Sequence, residues 1–574
     1  VGDEEVAIRH PATEQSVDGV TEIDPIFTAL TAPGAPFAIG ERDGIRQFLN
    51  APSDLNQMIE RARAFGDRTF IVEEGDDGRQ RRLSFEQVFA WRDQLVSILG
   101  IARGDRVAIC MRNRTEWIVA FLAVLKAGGV AAVLNSRGAP AELVAMIDDV
   151  GPRVVVADTD RARLIRAGGY SGRLLDLTRP FEDDVRLETG AEPLGDLGAA
   201  APGDPCAILF TSGTTGRVKG AVLTHRSIIT GLMGVQLSGM QVLHSTANAM
   251  GMPVDTLLQH MPQQAALLVY PLFHISGLGS AFLSPMLAGA KVVIMRRWDA
   301  QDAMRLMSEE AITMFSSVPT MLWDVLQKAR GVEADLSSIR NIGVGGQALP
   351  VNLLDEIRAV CPQAMMGTGY GMTECSGAIA QAVGHEFVRK PSSAGRVLPL
   401  VDIRIEGPDG TELPAGEVGE IVLRGAQIMQ GYWNRPEETA AVLSPDGWLR
   451  TGDIGLVDEE RYVFIVDRKK DMVISGGENI YCAEVERALG SMPQVSECAA
   501  FGIPDDRLGE LLVMVVRAEG VCEADVITWI GERLARYKAP GRVVITREPL
   551  PRNDVSKVDK VALRKAWPTM SGGK

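Results

Sequence analysis

Short apolar runs and longer amphipathic stretches alternate along this chain, with turn residues between them. Residues 107–111 read as a buried strand, 116–127 as a helix ended by Gly128-Gly129, 130–134 as a strand, 141–149 as a helix and 154–157 as a strand. Strands separated by helices predict parallel βαβ units. The same rhythm returns with strands at 291–295, 312–315 and 339–344 and helices at 303–310 and 320–330. Residues 1–50 are rich in Pro, Gly and Ala, with weak periodicity, and read as an irregular N-terminal lead-in. After Pro52 the spacing of Leu55, Met58, Ile59 and Ala62 predicts a helix with Ser53 as its N-cap.

From 400 to 466 the texture changes to short strands (402–406, 420–424, 462–466) broken by turns such as Pro408-Asp409-Gly410, which predicts a β-rich subdomain. The charged run Asp467-Arg468-Lys469-Lys470-Asp471 reads as a linker. Beyond it, strands at 497–502 and 511–517 and an amphipathic helix at 523–536 predict a small α+β unit. The expected fold is α/β: a large N-terminal domain (51–467) with two βαβ-type sheets and the β-rich subdomain, followed by a small C-terminal domain (473–574).

The composition narrows the function classes. With 574 residues, 46% of them apolar, the chain can bury a large core. A net charge of -15 and the lack of a basic stripe disfavour a nucleic-acid partner. The seven cysteines (110, 206, 361, 375, 482, 498, 522) are scattered without a C-x-x-C pair, which argues against a disulfide framework or a zinc ribbon. His385-Glu386 has no second histidine to complete a zincin motif. The first ten residues are polar and acidic, unlike a signal peptide, and no apolar run reaches the roughly 18–20 residues of a membrane span. The expected address is cytoplasmic, with no integral membrane segment.

Residues 211–220 (Thr-Ser-Gly-Thr-Thr-Gly-Arg-Val-Lys-Gly) follow an apolar strand at 206–210. Gly213 and Gly216 let the backbone approach an anion, Thr211, Ser212, Thr214 and Thr215 add hydroxyls, and Lys219 adds a charge. Such a loop is also an ordinary surface turn in many chains. It is not a P-loop, because Gly220 rather than Ser or Thr follows the lysine. A second glycine cluster, 343–350, could let a flat ring lie on bare backbone. A third, 367–374, sets Tyr370 where it could stack on a base and Glu374 as a hard oxygen ligand for Mg²⁺. Asp453, in Trp448-Leu-Arg-Thr-Gly-Asp453, could accept from ribose hydroxyls.

In this order and at these intervals, the segments resemble the adenylate-forming superfamily of acyl-CoA synthetases, stand-alone adenylation domains and firefly luciferase. The resemblance runs from about residue 52 to 565. It includes Leu125-Lys-Ala-Gly-Gly129, Pro271-Leu-Phe-His-Ile-Ser-Gly277, Gly416-Glu-Val-Gly-Glu-Ile421, Ser475-Gly-Gly-Glu-Asn-Ile480 and Leu550-Pro-Arg-Asn-Asp-Val-Ser-Lys557.

The resemblance implies roles residue by residue. Thr211, Ser212, Gly213, Thr214, Thr215, Gly216 and Lys219 would cradle the β- and γ-phosphates of ATP. Gly346, Gln347, Ala348, Gly369, Tyr370 and Gly371 would frame adenine, while Thr373 and Glu374 would reach the α-phosphate and Mg²⁺. Asp453 and Arg468 would hold the ribose, and Lys557 would bridge the substrate carboxylate and the α-phosphate, with Thr211 and Glu374 sharing the catalytic work. Phe273, His274, Gly277, Gly345 and Gly367 would line the acyl pocket. Lys470, in 468–472, would be the hinge of a mobile C-terminal domain, and Ser475, Gly476, Gly477, Glu478, Tyr537 and Lys538 would meet coenzyme A.

Val218, Gln347, Cys482 and Ser556 depart from the family's usual Pro, Ala, Pro and Gly, and none of these removes a charged group. His274 stands where amino-acid-activating members carry aspartate, so a simple carboxylic acid is expected as substrate rather than an amino acid. Five methionines at 233–261 suit a hydrophobic fatty, aryl or alicyclic acid. No carrier-protein segment follows, so free CoA is the expected acceptor. The function this implies is an AMP-forming acyl-CoA ligase working on a small-molecule acid with ATP, Mg²⁺ and coenzyme A. The alternatives are an acyl-AMP ligase that loads a carrier protein and a non-catalytic nucleotide-binding homologue. A homodimer stays open.

Overall fold

The computed structural model describes residues 25–42, 44–75, 78–177, 200–211, 218–329, 335–345, 351–469, 471–475, 478–505, 507–553 and 557–572. Among them, two large mixed sheets form the N-terminal part. The first orders its strands Gly431–Tyr432, Lys219–Thr224, Pro205–Thr211, Val130–Val133, Arg106–Cys110, Val154–Ala157 and Leu174–Asp176. The last five run parallel, and Lys219–Thr224 turns back antiparallel on Pro205–Thr211. The second orders Arg396–Val397, Gly377–Val383, Met365–Met372, Asn341–Gly345, Met314–Ser317, Ala265–Leu268, Lys291–Ile294, Thr69–Glu74 and Gln80–Ser84.

Helix Thr115–Lys126 explains how the two sheets share one core. Every residue from Thr115 to Leu125 is buried, as expected of a helix that is apolar nearly all round. Its side chains join one hydrophobic cluster with Val107 and Ile109 of the first sheet and Leu267 and Val293 of the second.

A four-stranded antiparallel sheet follows (Val401–Glu406, Gly419–Gly425, Leu449–Val457, Val463–Arg468). The smaller C-terminal domain is built on strands Glu478–Ile480, Val473–Ser475, Gly509–Ala518, Val495–Asp505 and Arg542–Thr546. The period-two rule divides its core. Met514 and Val516 pack on one face with Val485 and Ile530, while Val513 and Val515 pack on the other with Leu563 and Trp567. Among the described residues no helix is long and apolar enough to cross a membrane.

Several local expectations change. The lead-in holds helix Pro25–Thr31 and the hairpin Ile39–Arg42/Ile45–Phe48, with Phe37 and Phe48 in edge contact at 6.0 Å. Elements of four to seven residues are too short to display a period. The first long-pattern helix, Leu55–Glu60, is capped by Asp54 rather than Ser53. Asp54 accepts from Gln57 N (2.8 Å) and Ala200 N (3.1 Å), so its two oxygens tie down two segments. Asp467 and Arg468 are the end of strand Val463–Arg468, paired with Ile454 and Asp453, rather than a loose linker. The helix expected at 523–536 stops at Gly531, and a separate turn, Arg536–Lys538, follows.

Candidate active site

The two sheets, the four-stranded sheet and the C-terminal domain surround a cavity of about 3450 Å³. Its floor is glycine. Strands Asn341–Gly345 and Met365–Met372 lie side by side, with Gly343 opposite Gly367 and Gly345 opposite Gly369, and all four line the cavity. Alternation puts residues two apart on one sheet face, so a patch of that face carries no side chains. Gly371 follows a register shift, and a Cβ there would lie 2.0 Å from Gly377 O, so the backbone itself requires glycine. Helix His225–Ala249 contributes Val235, Gly239, Met240 and Leu243 to the wall, together with Gln236, Ser238 and Thr246.

On one side of the floor, Thr211 and Lys219 face each other as a registered pair of antiparallel strands. Ser212, Gly213, Thr214, Thr215 and Gly216 themselves lie outside the described residues, as do Gly346, Gln347, Ala348, Lys470, Gly476 and Gly477. Lys219 Nζ stands 5.0 Å from the ring centroid of Tyr432. The Tyr432 hydroxyl donates to Glu374 Oε1 at 2.9 Å. Glu374 and Thr373 are buried at the cavity wall. Burial holds the Glu374 carboxyl above its ordinary value, against the hydrogen bond from Tyr432.

On the other side, Asp453 gathers two partners. Arg468 Nε lies 2.6 Å from Oδ1, and the Tyr370 hydroxyl donates to Oδ2 at 2.5 Å. Asp453 N donates to Thr451 Oγ1 (3.0 Å), which fixes the carboxylate at the base. Burial, then the Asp453 charge, pushes the Tyr370 phenol well up, so it stays a donor.

The C-terminal domain supplies Lys557 to the same cavity. Asn553 N donates to Lys557 O (2.8 Å) and Lys557 N to Asn553 Oδ1 (3.0 Å), so the lysine backbone is anchored on Asn553. Burial, then Arg468, pushes its ammonium below the usual lysine value, while Asp453 opposes the shift. Elsewhere on the cavity wall, burial and then the Lys557 charge bring the His274 ring down to about 4, so it is neutral at pH 7. Lys557 thus lies within electrostatic reach of both the Asp453–Arg468 pair and His274.

Phe273 and His274 line the cavity, but Gly277 does not. A Cβ at Gly277 would lie 2.0 Å from Pro271 O, so this glycine serves a tight backbone crossing rather than a pocket wall. Ser475, Glu478, Tyr537 and Lys538 do not reach the cavity either. Tyr537 is exposed, and Lys538 Nζ binds both oxygens of Glu484 (2.8 and 2.7 Å). The domain's attitude accounts for this. Ala483 N, at the start of helix Cys482–Gly490, donates to Asp467 Oδ2 (3.2 Å), and Arg487 Nη2 donates to Ile465 O (3.0 Å), which turns the Lys557 loop inward instead. Sequence reading missed Tyr432. Its strand, Gly431–Tyr432, is two residues long, and nothing local marks it as a partner of Lys219 or Glu374.

The chain matches the family model for AMP-binding enzyme over residues 58–433 and that for the AMP-binding enzyme C-terminal domain over 484–557. It is 36% identical to a feruloyl-CoA synthase from Amycolatopsis sp, over 82% of this chain and 90% of that one. It is 34% identical to long-chain-fatty-acid–CoA ligase FadD13 of Mycobacterium tuberculosis, over 85% of this chain and 93% of that one. Among solved structures, o-succinylbenzoate CoA synthetase from Bacillus subtilis in complex with its acyl-adenylate intermediate superposes with a TM-score of 0.73 at 29% identity, covering 89% of this chain and 98% of that one. The same enzyme with ATP and magnesium ion gives a TM-score of 0.71 at 29% identity, covering 88% and 98%.

Proposed function

The chain belongs to the AMP-binding enzyme family, and we propose that it acts as an AMP-forming acyl-CoA ligase on a hydrophobic carboxylic acid. The observation that carries this reading is the meeting of Lys557, from the small domain, with Thr211, Lys219, Glu374 and Asp453 of the large one at a single cavity.

In the first half-reaction a carboxylate oxygen attacks the α-phosphorus of ATP, the bond to the β-phosphate oxygen breaks, and pyrophosphate leaves. Two anions must approach, and the Lys557 ammonium lies where their charge concentrates. The glycine floor takes flat groups, adenine over Gly369 and the acyl group along Gly345 and Gly367. Asp453, already oriented by Arg468 and Tyr370, keeps lone pairs for ribose hydroxyls. Lys219 faces the departing pyrophosphate.

Glu374 and Thr373 fit a hard cation: a buried carboxylate and a hydroxyl at the cavity wall are the oxygen donors Mg²⁺ takes alongside phosphate. When bound, Mg²⁺ would neutralise phosphate charge. In the second half-reaction the CoA thiol attacks the acyl carbon, the acyl–phosphate bond breaks, and AMP leaves with the thiol proton released. Ser475, Glu478, Tyr537 and Lys538 stand outside the cavity in the present arrangement, so this step calls for rotation of the small domain about Lys470.

The test is acid-dependent release of pyrophosphate from MgATP, followed by AMP and acyl-CoA once CoA is added. ADP as product overturns the reading. Acyl-AMP that accumulates despite CoA overturns the choice of acceptor in favour of a carrier protein.

A further inference from the structure

Residues 429–433 are stitched to both banks of the phosphate path. Met429 N donates to Glu374 O (2.8 Å), Gln430 N to Val222 O (2.9 Å) and Trp433 N to Gly220 O (2.7 Å). Tyr432 is paired with Ala221, two residues from Lys219. From this strap one side chain touches two charged groups at once. Its hydroxyl holds Glu374 Oε1 at 2.9 Å, and its ring face lies under Lys219 Nζ at 5.0 Å.

We propose that Tyr432 is a positioning residue that couples the metal-side carboxylate to the phosphate-side lysine, so that cation and leaving group are gripped as one unit. The inference rests on the MgATP reading above. A hydroxyl fixed on one oxygen restricts carboxylate rotation and presents the group in one orientation, as outer partners of metal ligands do. The aromatic face gives the ammonium a seat by cation–π attraction, holding a flexible four-carbon stem that would otherwise sweep solvent. Its neighbours are set by main-chain bonds to Glu374 itself and to Gly220, the residue after Lys219, so displacement on either side is felt on the other.

Two variants separate the contacts. Tyr432→Phe keeps the ring and loses the hydroxyl; Tyr432→Leu loses both. ATP binding is measured by titration calorimetry over a range of MgCl₂ concentrations without acid, so that no turnover is needed. For Tyr432→Phe, the Mg²⁺ concentration giving half-maximal ATP binding is expected to rise about tenfold, with metal-free ATP affinity unchanged. For Tyr432→Leu, metal-free ATP affinity is expected to fall about fivefold in addition. An unchanged Mg²⁺ half-point in Tyr432→Phe overturns the proposal. So does an equal loss of ATP binding with and without Mg²⁺ accompanied by a lower Tm, which marks the strap as structural only. Glu374→Gln serves as the control. If it leaves the Mg²⁺ dependence intact, the MgATP reading of Glu374 fails first and takes this proposal with it.

Discussion

The two ends of one cavity are built on opposite terms. At the end proposed to hold the nucleotide each polar group leans on another: Lys219 on Tyr432, Tyr432 on Glu374, Arg468 and Tyr370 on Asp453. At the end proposed to hold the acyl group, helix His225–Ala249 sets Val235, Met240, Val242 and Leu243 beside Gln236, Ser238 and Thr246, with a gap at Gly239. Charged groups act only when their direction is fixed, because a low-dielectric site magnifies any misplacement. An apolar wall needs only the right volume. The first end is therefore constrained by its chemistry, and the second can be retuned one side chain at a time.

The sharpest way to break this contrast is Lys557→Ala. Acid-dependent pyrophosphate release is expected to fall about a thousandfold, while thioester formation from supplied acyl-adenylate stays within about threefold of the parent. Equal losses in both half-reactions would show that Lys557 serves the fold of the small domain rather than the attack. Next comes Asp453→Asn, which weakens the bonds from Arg468 and Tyr370. The KM for ATP is expected to rise roughly 10- to 100-fold, the range for hydrogen bonds to charged groups, with the KM for the acid unmoved. A parallel rise in both constants would erase the distinction between the two ends.

Gly239→Leu probes the other end. A Cβ there meets nothing within 4 Å, so the new side chain has room to project into the cavity. The kcat/KM for the bulkiest acid accepted is expected to drop about tenfold, with the KM for ATP unchanged. Replacing a mid-helix glycine also favours the helix by up to about 1 kcal/mol, so Tm should hold or rise. A loss that is uniform across acids would sink the specificity role.

The smallest expected effect concerns pH. The half-buried His274 ring, held down to about 4 by desolvation and the Lys557 charge, takes its proton later than the unfolded chain, which takes one near 6.5. Between those values the unfolded state binds more protons, so stability falls as the pH falls. His274→Leu should flatten that part of the Tm–pH profile and leave it unaltered above pH 7; an unchanged slope would remove the neutral assignment.

Much of the large sheets is legible in the sequence because strands such as Arg106–Cys110 and Val154–Ala157 are unbroken apolar runs between turns. Strand Met365–Met372 is not. Glycine fills the alternate positions where a strand would declare its period, so the segment reads as a loop until its pairing with Asn341–Gly345 is seen. The composition of 211–220 signals anion chemistry, but that Thr211 and Lys219 stand opposite each other on antiparallel strands follows only from the pairing. Tyr432 shows the same limit from the other side. Its chemistry lies in two partners far away in the chain, and long-range contact leaves no local periodic trace.

The bare floor also shapes how this gene can drift. A glycine codon is a single base change from alanine or valine. At Gly343 the new Cβ would come within 2.7 Å of Ser316 Oγ, and at Gly367 within 3.2 Å of Ala382 O. Along helix His225–Ala249 the comparable change at Gly239 meets open space. Random variation is thus filtered at Gly343 and Gly367, less so at Gly345 and Gly369, where a Cβ would stand 3.8 and 3.4 Å from its nearest neighbour, and least at Gly239. Descendants of this sequence are expected to vary along helix His225–Ala249 before they vary at Gly343 or Gly367.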